Sequence, residues 1–280
     1  YRLKADFHHR LQKGKAPALG FMSGASNRIV EIEQCKIVEE SINQLYQDLR
    51  KKLLHGSWVP RRDRITLWSA DNEGPFGGTN TERLRETWII RTIKKRRLTV
   101  HRYGFFQANQ YLIDTMIDRV ITAAELTGSE TVVDGFCGCG LFSLFLAPLA
   151  KTVHGIEGDD RAVQAARENA ENNGLQNLFF HKGDVAEVVR RAFFNPPVQM
   201  DVLVLDPPRI GCRKDLLENI LRLGPKRIVY VSCNPATQAR DIQTIIAGGY
   251  HLEYIQPLDM FPQTAHIEII ARLTRSSSYS

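Results

Sequence analysis

Ile228-Val229-Tyr230-Val231-Ser232-Cys233-Asn234-Pro235 is an apolar, β-branched and aromatic run that ends in a polar turn. A short apolar run bounded by turn residues has the signature of a strand buried on both faces, as in a parallel sheet. In open α/β sheets, ligands and chemistry gather just beyond the carboxyl ends of such strands. Cys233 falls at that position, where a thiol is placed to act as a nucleophile. Position alone does not establish reactivity, because free cysteines are commonly buried and inert.

Outward from this strand, the chain from about residue 110 alternates between strands and helices. Strands are predicted at residues 131–134, 153–157, 178–182, 202–206 and 228–232. Helices lie between them, for example 160–173, which stops at Gly174 as a helix end should. Two more β-like runs, 251–256 and 267–273, close the chain. The pattern predicts a doubly wound α/β domain, a parallel sheet with an antiparallel C-terminal strand pair. Upstream, 18–21 and 28–32 are β-like, and 38–54 carries Ile42, Leu45, Leu49 and Leu53 as one helical stripe. A strand is expected at 65–68 and a Gly/Asn-rich loop at 71–80. The chain divides, on this reading, into a basic α+β region at 1–100, an α/β domain at 101–275 and a frayed Ser-rich tail at 276–280.

Bulk properties narrow the class. Hydrophobic residues at 43% and charged residues at 24% are ordinary for a globular protein. Five cysteines without paired spacing argue against a disulfide framework and for a reducing compartment. No stretch reaches membrane-spanning length, and the first residues lack an apolar signal core, so a cytoplasmic protein is expected; it is also expected to be a monomer. Residues 1–100 hold 20 Lys and Arg against 11 Asp and Glu, whereas the remainder holds 17 against 20. The basic clusters Lys13-Gly14-Lys15, Arg50-Lys51-Lys52, Arg61-Arg62-Asp63-Arg64 and Lys94-Lys95-Arg96-Arg97 favour a polyanionic partner, nucleic acid above all.

A second informative stretch is Val132-Val133-Asp134-Gly135-Phe136-Cys137-Gly138-Cys139-Gly140, a strand entering a glycine-rich turn before a helix. Such turns let backbone approach a ligand and expose free N–H groups. No Gly-Lys-Ser or Gly-Lys-Thr follows, which excludes a P-loop. Glu157, at the end of the next strand, is placed to accept hydrogen bonds from ribose hydroxyls. Asp184, after the third strand, is placed for an adenine amino group. Asp134 beside the turn disfavours pyrophosphate and suits a cation. S-adenosylmethionine, an adenosine carrying a sulfonium and an amino acid, fits these positions.

With these motifs in order, the sequence resembles the RNA uracil-5 methyltransferase family, which acts on 23S rRNA or tRNA. The resemblance rests on Phe105-Phe106-Gln107-Ala108-Asn109, the Asp134 turn, Asp206-Pro207-Pro208-Arg209, Ser232-Cys233-Asn234-Pro235-Ala236-Thr237 with Ala239-Arg240-Asp241, and Asp259-Met260-Phe261-Pro262 followed by His266-Ile267-Glu268. It implies a Rossmann-like class I methyltransferase domain, RNA as partner and 23S rRNA ahead of tRNA as substrate. It also implies Cys233 as nucleophile and Glu268 as general base. Gln107, Asp134, Phe136, Gly138, Glu157, Asp184 and Asp206 are implied as cofactor contacts, with Phe105, Gln107 and Asp206 facing the target base and no metal. Arg240 is a candidate stabiliser of the thiolate.

Many bacterial members also carry an N-terminal oligonucleotide-binding barrel and a four-cysteine iron–sulfur cluster. Cys35 matches that cluster's last ligand, but no other cysteine precedes Cys137, so no cluster is expected from this chain. Cys137, Cys139 and Cys212 are expected to be structural. Two other readings stand beside the main one. Asp206-Pro207-Pro208 resembles an amino-group methyltransferase motif, but Arg209 replaces its aromatic residue; an RNA-binding module without activity is the other.

Overall fold

The computed structural model describes all residues except 12–15, 25, 61–62, 72–75, 78–87, 103, 195–198 and 277–280. The chain forms two units: Tyr1–Thr92 with Gln107–Tyr111, and Ile93–Phe106 with Leu112–Ser280. The sequence alone set this boundary at residue 100. The return of 107–111 to the first unit follows from backbone pairing, because the Leu3 N–H donates to the Ala108 carbonyl at 3.1 Å. Among the described residues, no helix is long and apolar enough to cross a membrane.

In the first unit, strands β1 (Lys4–Arg10), β2 (Ala18–Met22), β3 (Ile29–Glu31), β4 (Arg64–Trp68) and β5 (Phe76–Gly77) form an antiparallel sheet ordered β3-β2-β1-β4-β5. β5 falls inside the stretch expected to be a loop. Helix α1 (Glu40–Leu54) packs its apolar stripe over Phe7, Leu19, Ile65 and Leu67. The stripe is Ile42, Tyr46, Leu49 and Leu53, with Leu45 at its edge. Tyr46 fits there because its hydroxyl reaches the carbonyls of Leu19 and Ile32, both at 2.9 Å. Cys35 is buried, and Asn43 exchanges two hydrogen bonds with its backbone (2.9 and 3.0 Å). The clusters at Lys13 and Arg61-Arg62 lie outside the described residues. In the cluster on α1, Lys52 pairs with Asp48 at 2.6 Å.

Ile93 ends β6 (Trp88–Ile93), whose other residues belong to the first unit, and the second unit begins from there with β7 (Arg96–His101). The second unit continues with α2 (Ile113–Ala124), β8 (Thr131–Gly135), α3 (Leu141–Leu146), β9 (Thr152–Glu157), α4 (Asp160–Asn172) and β10 (Leu178–Lys182). There follow α5 (Val185–Phe194), β11 (Val202–Leu205), α6 (Lys214–Leu223), β12 (Arg227–Ser232), α7 (Pro235–Ala247), β13 (Tyr250–Leu258) and β14 (Glu268–Arg275). Its seven strands order as β10-β9-β8-β11-β12-β14-β13. The first five are parallel; β14 and β13 are antiparallel, as the closing strand pair predicted. The order reverses between β8 and β11, the crevice where doubly wound sheets bind ligands.

Register assigns the two faces. Val133 pairs with Leu203, Leu203 with Ile228 and Ile228 with Leu273, and all four enter the core closed by α5, α6 and α7. The alternate positions face α2 and α3. Of the predicted Ser-rich tail, residues 277–280 lie outside the described residues, while the Ser276 N–H donates to the Gly249 carbonyl at 2.9 Å.

Candidate active site

On the α2–α3 face, Asp134 of β8 pairs in register with Gly155 of β9 and with Val204 of β11. Val204 pairs with Val229 of β12, which pairs with Arg272 of β14. Side chains two residues apart share a face, so Glu157, Asp206, Val231 and Ile270 join Asp134. Cys233 lies one residue beyond the last β12–β14 pair, Ser232–Ile269, and Glu268 lies directly across from it. Cβ atoms so placed on adjacent strands are about 5 Å apart. Five groups separated by up to 134 residues in sequence therefore form one row at the carboxyl edge.

The glycine turn after β8 is built around Glu157. One of its oxygens accepts from the Gly138 N–H at 3.0 Å and the other from the Asp159 N–H at 2.8 Å. Each keeps a lone pair for a ligand hydroxyl. Phe136, Gly138 and Gly140 all adopt positive φ (64°, 56° and 86°). At Gly140 a Cβ would stand 2.9 Å from Phe180, so glycine is required; at Gly138 the same position is open space. Phe136 is not a glycine, and its left-handed backbone costs about 1–2 kcal/mol. That conformation turns its ring into a pocket of about 140 Å³ lined also by Asp184, Val185, Pro208, Ile210 and Arg213.

Asp134 is 0% exposed, and one oxygen accepts from the Ser143 hydroxyl at 2.6 Å. Its other oxygen has no hydrogen-bond partner. Burial pushes its carboxyl up to about 7; the Ser143 bonds oppose the rise and the Glu157 charge adds to it. Glu268 is 3% exposed, with one buried oxygen unbonded, and burial raises it to about 7. Asp206, partly buried, is held well above the usual carboxylate range by burial and by the charges of Glu268 and Asp134.

Cys233 is the one cysteine that is not buried. Burial of its sulfur, then Glu268, then Asp206 raise its thiol, and Arg209 opposes them. It stands immediately before Asn234, whose side chain accepts from the Ala236 N–H at 3.1 Å as the cap of α7. The positive end of that helix also favours a thiolate. Gln238 holds the pair in place: its amide donates to the carbonyls of Tyr230 (2.8 Å) and Ile269 (3.2 Å), on the two strands that carry Cys233 and Glu268.

The candidate thiolate stabiliser Arg240 is corrected to Arg209. Arg240 is committed to Asp241 (2.9 and 2.7 Å) and to the Ile210 carbonyl (3.0 Å). Arg209 sits in a loop tied to the nucleophile segment, its carbonyl accepting from Asn234 at 2.9 Å and Thr237 at 3.1 Å. Its guanidinium lies 3.5 Å from His266 Nδ1. Asp241 anchors the same loop from beneath, accepting from the Tyr230 hydroxyl (2.6 Å) and the Cys212 N–H (2.7 Å). Cys137, Cys139 and Cys212 are all buried, and burial raises each thiol.

Asp184 caps α5 through the Glu187 N–H (3.2 Å) and pairs with Arg213 at 3.1 Å while lining the Phe136 pocket. Phe105 is 70% exposed in the second unit; Gln107 is buried in the first. Three residues in this region were missed as site residues in the sequence. Ser143 had a visible signal, a lone hydroxyl in the apolar helix Leu141-Phe142-Ser143-Leu144-Phe145-Leu146. Arg209 had none beyond its place after Asp206-Pro207-Pro208, and Gln238 falls between two of the quoted stretches.

A family model described as tRNA (uracil-5-)-methyltransferase matches residues 80–276. An uncharacterized RNA methyltransferase of Listeria innocua is 47% identical over 198 residues, covering 70% of this chain and 44% of the relative. One of Listeria monocytogenes is 46% identical over 242 residues, covering 86% and 51%. One of Gloeobacter violaceus is 44% identical, covering 99% and 70%. The chain thus spans about half the length of the Listeria relatives. Among solved structures, Pyrococcus abyssi tRNA (uracil-54, C5)-methyltransferase in complex with S-adenosyl-L-homocysteine aligns with TM-score 0.76 at 24% identity, over 98% of this chain and 76% of that one. That likeness carries the fold.

Proposed function

The chain belongs to the tRNA (uracil-5-)-methyltransferase family, and from that premise we propose that it methylates uridine at C5 in RNA, with S-adenosylmethionine as methyl donor. The observation that carries the reading is the register that sets Cys233 directly across from Glu268 at the carboxyl edge. Few structural reasons account for a carboxylate 3% exposed with an unbonded oxygen beside a thiol.

The residues present fit the donor. Asp134 keeps one buried oxygen unbonded, the Gly138 side of the turn is open, and Glu157 retains lone pairs. Asp134, Phe136, Gly138, Glu157, Asp184 and Asp206 would hold it, and it supplies the methyl group. Phe105 and Asp206 would contact the base in this proposal.

Uracil C5 is too weak a nucleophile to take a methyl group unaided. The Cys233 thiolate forms a bond to C6, and the electron pair of the C5–C6 double bond moves onto C5 and O4. After C5 is methylated, Glu268 removes the C5 proton. The released pair restores the double bond as the C6–S bond breaks and returns the thiolate. Glu268 must be ionised to do this, and a carboxyl near 7 is matched to the task. The base must leave its stack for both faces of C5–C6 to be reached. The RNA is 23S rRNA ahead of tRNA, as the sequence resemblance implies.

Total RNA tritiated at uridine C5 tests the reading. The protein with S-adenosylmethionine is expected to release tritium to water, and Cys233→Ala to release none. Methyl incorporation without tritium release would move the target off C5, to an exocyclic amine. RNA binding with neither signal would identify a binding module.

A further inference from the structure

Asp134, Glu157, Asp206, Cys233 and Glu268 form a row in which every group is an anion or becomes one on losing a proton. Arg209 acts on Cys233, His266 stands 3.5 Å from Arg209, and α7 begins after the nucleophile. Neither Asp134 nor Glu268 has an ion-pair partner among the described residues, and each keeps a buried oxygen unbonded. Acids elsewhere in this unit are treated differently: Asp201 pairs with Lys226 at 3.0 Å, Glu130 with Arg227 at 3.7 Å and Asp241 with Arg240 at 2.7 Å. Among the described residues, Asp134 and Glu268 are the buried acids left short of positive charge.

Resting on the methyl-transfer reading, we propose that this deficit is matched to the sulfonium charge of S-adenosylmethionine, so that the donor's charge switches Cys233 and Glu268 in turn. Without that charge Cys233 retains its proton. With it in place, Cys233 releases its proton to water and the nucleophile forms. Methyl transfer to C5 would remove the sulfonium charge, and Asp134 and Glu268 would again be short of positive charge. Glu268 gains proton affinity at that point, when the C5 proton must leave. That proton goes to Glu268, and its bonding pair re-forms the C5–C6 double bond as the C6–S bond returns the thiolate. A thiolate is needed before methyl transfer and a base after it, and one change of charge provides both.

The test reads thiol chemistry rather than turnover. Cys233 in the full chain is alkylated with iodoacetamide across a pH series and quantified by mass spectrometry. The protein is compared ligand-free, with S-adenosylmethionine, with sinefungin (an amine in place of the sulfonium) and with S-adenosylhomocysteine. The homocysteine compound fills the same space without the charge and so controls for shielding. Alkylation at neutral pH is expected to be about tenfold faster with either cationic ligand than with S-adenosylhomocysteine. Equal rates overturn the proposal. If all ligands block the reagent, the resonance of Cys233 labelled with 13C at Cβ is titrated instead, and coincident midpoints overturn it in the same way. Glu268→Gln, with one acid fewer, should speed alkylation of the ligand-free protein severalfold; no change would also count against the row. Calorimetry keeps the two readings apart: failure to bind either S-adenosyl compound sinks the methyl-transfer reading, whereas binding of both with equal thiol titration sinks only this one.

Discussion

Asp241 and Asp134 are both 0% exposed and lie on opposite faces of the same sheet, yet their surroundings differ. Beneath the face closed by α5, α6 and α7, the Asp241 carboxylate receives bonds from Tyr230, Cys212 and Arg240. On the α2–α3 face, Asp134 receives Ser143 on one oxygen and nothing on the other, and Glu268 also keeps an oxygen unbonded. A satisfied buried acid holds structure together; an unsatisfied one stores a demand that a ligand can meet. One face braces the loop that the other face uses.

The contrast is sharpest in what each acid does when neutralised. Glu268→Gln should lower turnover by about 10²- to 10⁴-fold and trap a covalent methylated RNA–protein adduct, visible on a denaturing gel. Thermal stability should be unchanged or slightly raised, because the cost of burying a charge is removed. A large fall in melting temperature would show that Glu268 is structural, and the contrast would fail.

Asp241→Ala should do the reverse. Breaking a buried charge network typically costs about 3–5 kcal/mol, and the lower end applies because Arg240 is half exposed. Denaturant titration measures the loss. The folded variant, assayed well below its melting point, should still bind S-adenosylhomocysteine.

Stability should also follow pH in a direction set by the open face. Asp134 and Glu268 both rise to about 7 in the folded chain, from 3.8 and 4.5. The folded state then holds protons that the unfolded state has released, so the stability these two groups contribute is fully present below about pH 4 and is lost as pH rises through about 7. Turnover should rise over the same interval as Glu268 ionises. Glu268→Gln removes its share of both slopes, and a melting temperature that climbs from pH 5 to about 7 in the wild type but not in this variant would reverse the sign.

Two smaller effects refine the picture. Ser143→Ala strips Asp134 of its side-chain partner and should cost about 1–2 kcal/mol in stability while weakening binding of S-adenosylhomocysteine, read by calorimetry. Arg209→Gln should slow alkylation of Cys233 at neutral pH by only a fewfold, since one partly screened cation is lost. Arg240→Gln should leave that rate as it is. An effect of Arg240→Gln as large as that of Arg209→Gln would return the thiolate to the residue first suggested by the sequence.

Sequence by itself determined the strand–helix alternation, the antiparallel closing pair and the candidate residues Cys233, Asp134 and Glu157, while Glu268 came from the family resemblance. These are legible because buried parallel strands are short apolar runs and chemistry clusters at their ends. Tertiary structure decided the rest. The helix stripe in α1 needed the fold to choose Tyr46 over Leu45, because its hydroxyl partners, Leu19 and Ile32, lie 27 and 14 residues away. The choice of Arg209 over Arg240 turned on which guanidinium was already committed, and Asp241 is adjacent to only one of them. That Cys233 and Glu268 lie level with each other is a fact of register between β12 and β14, and no local pattern carries register. Residue type is written in the chain, but whether a buried acid is satisfied depends on groups that only folding brings within reach.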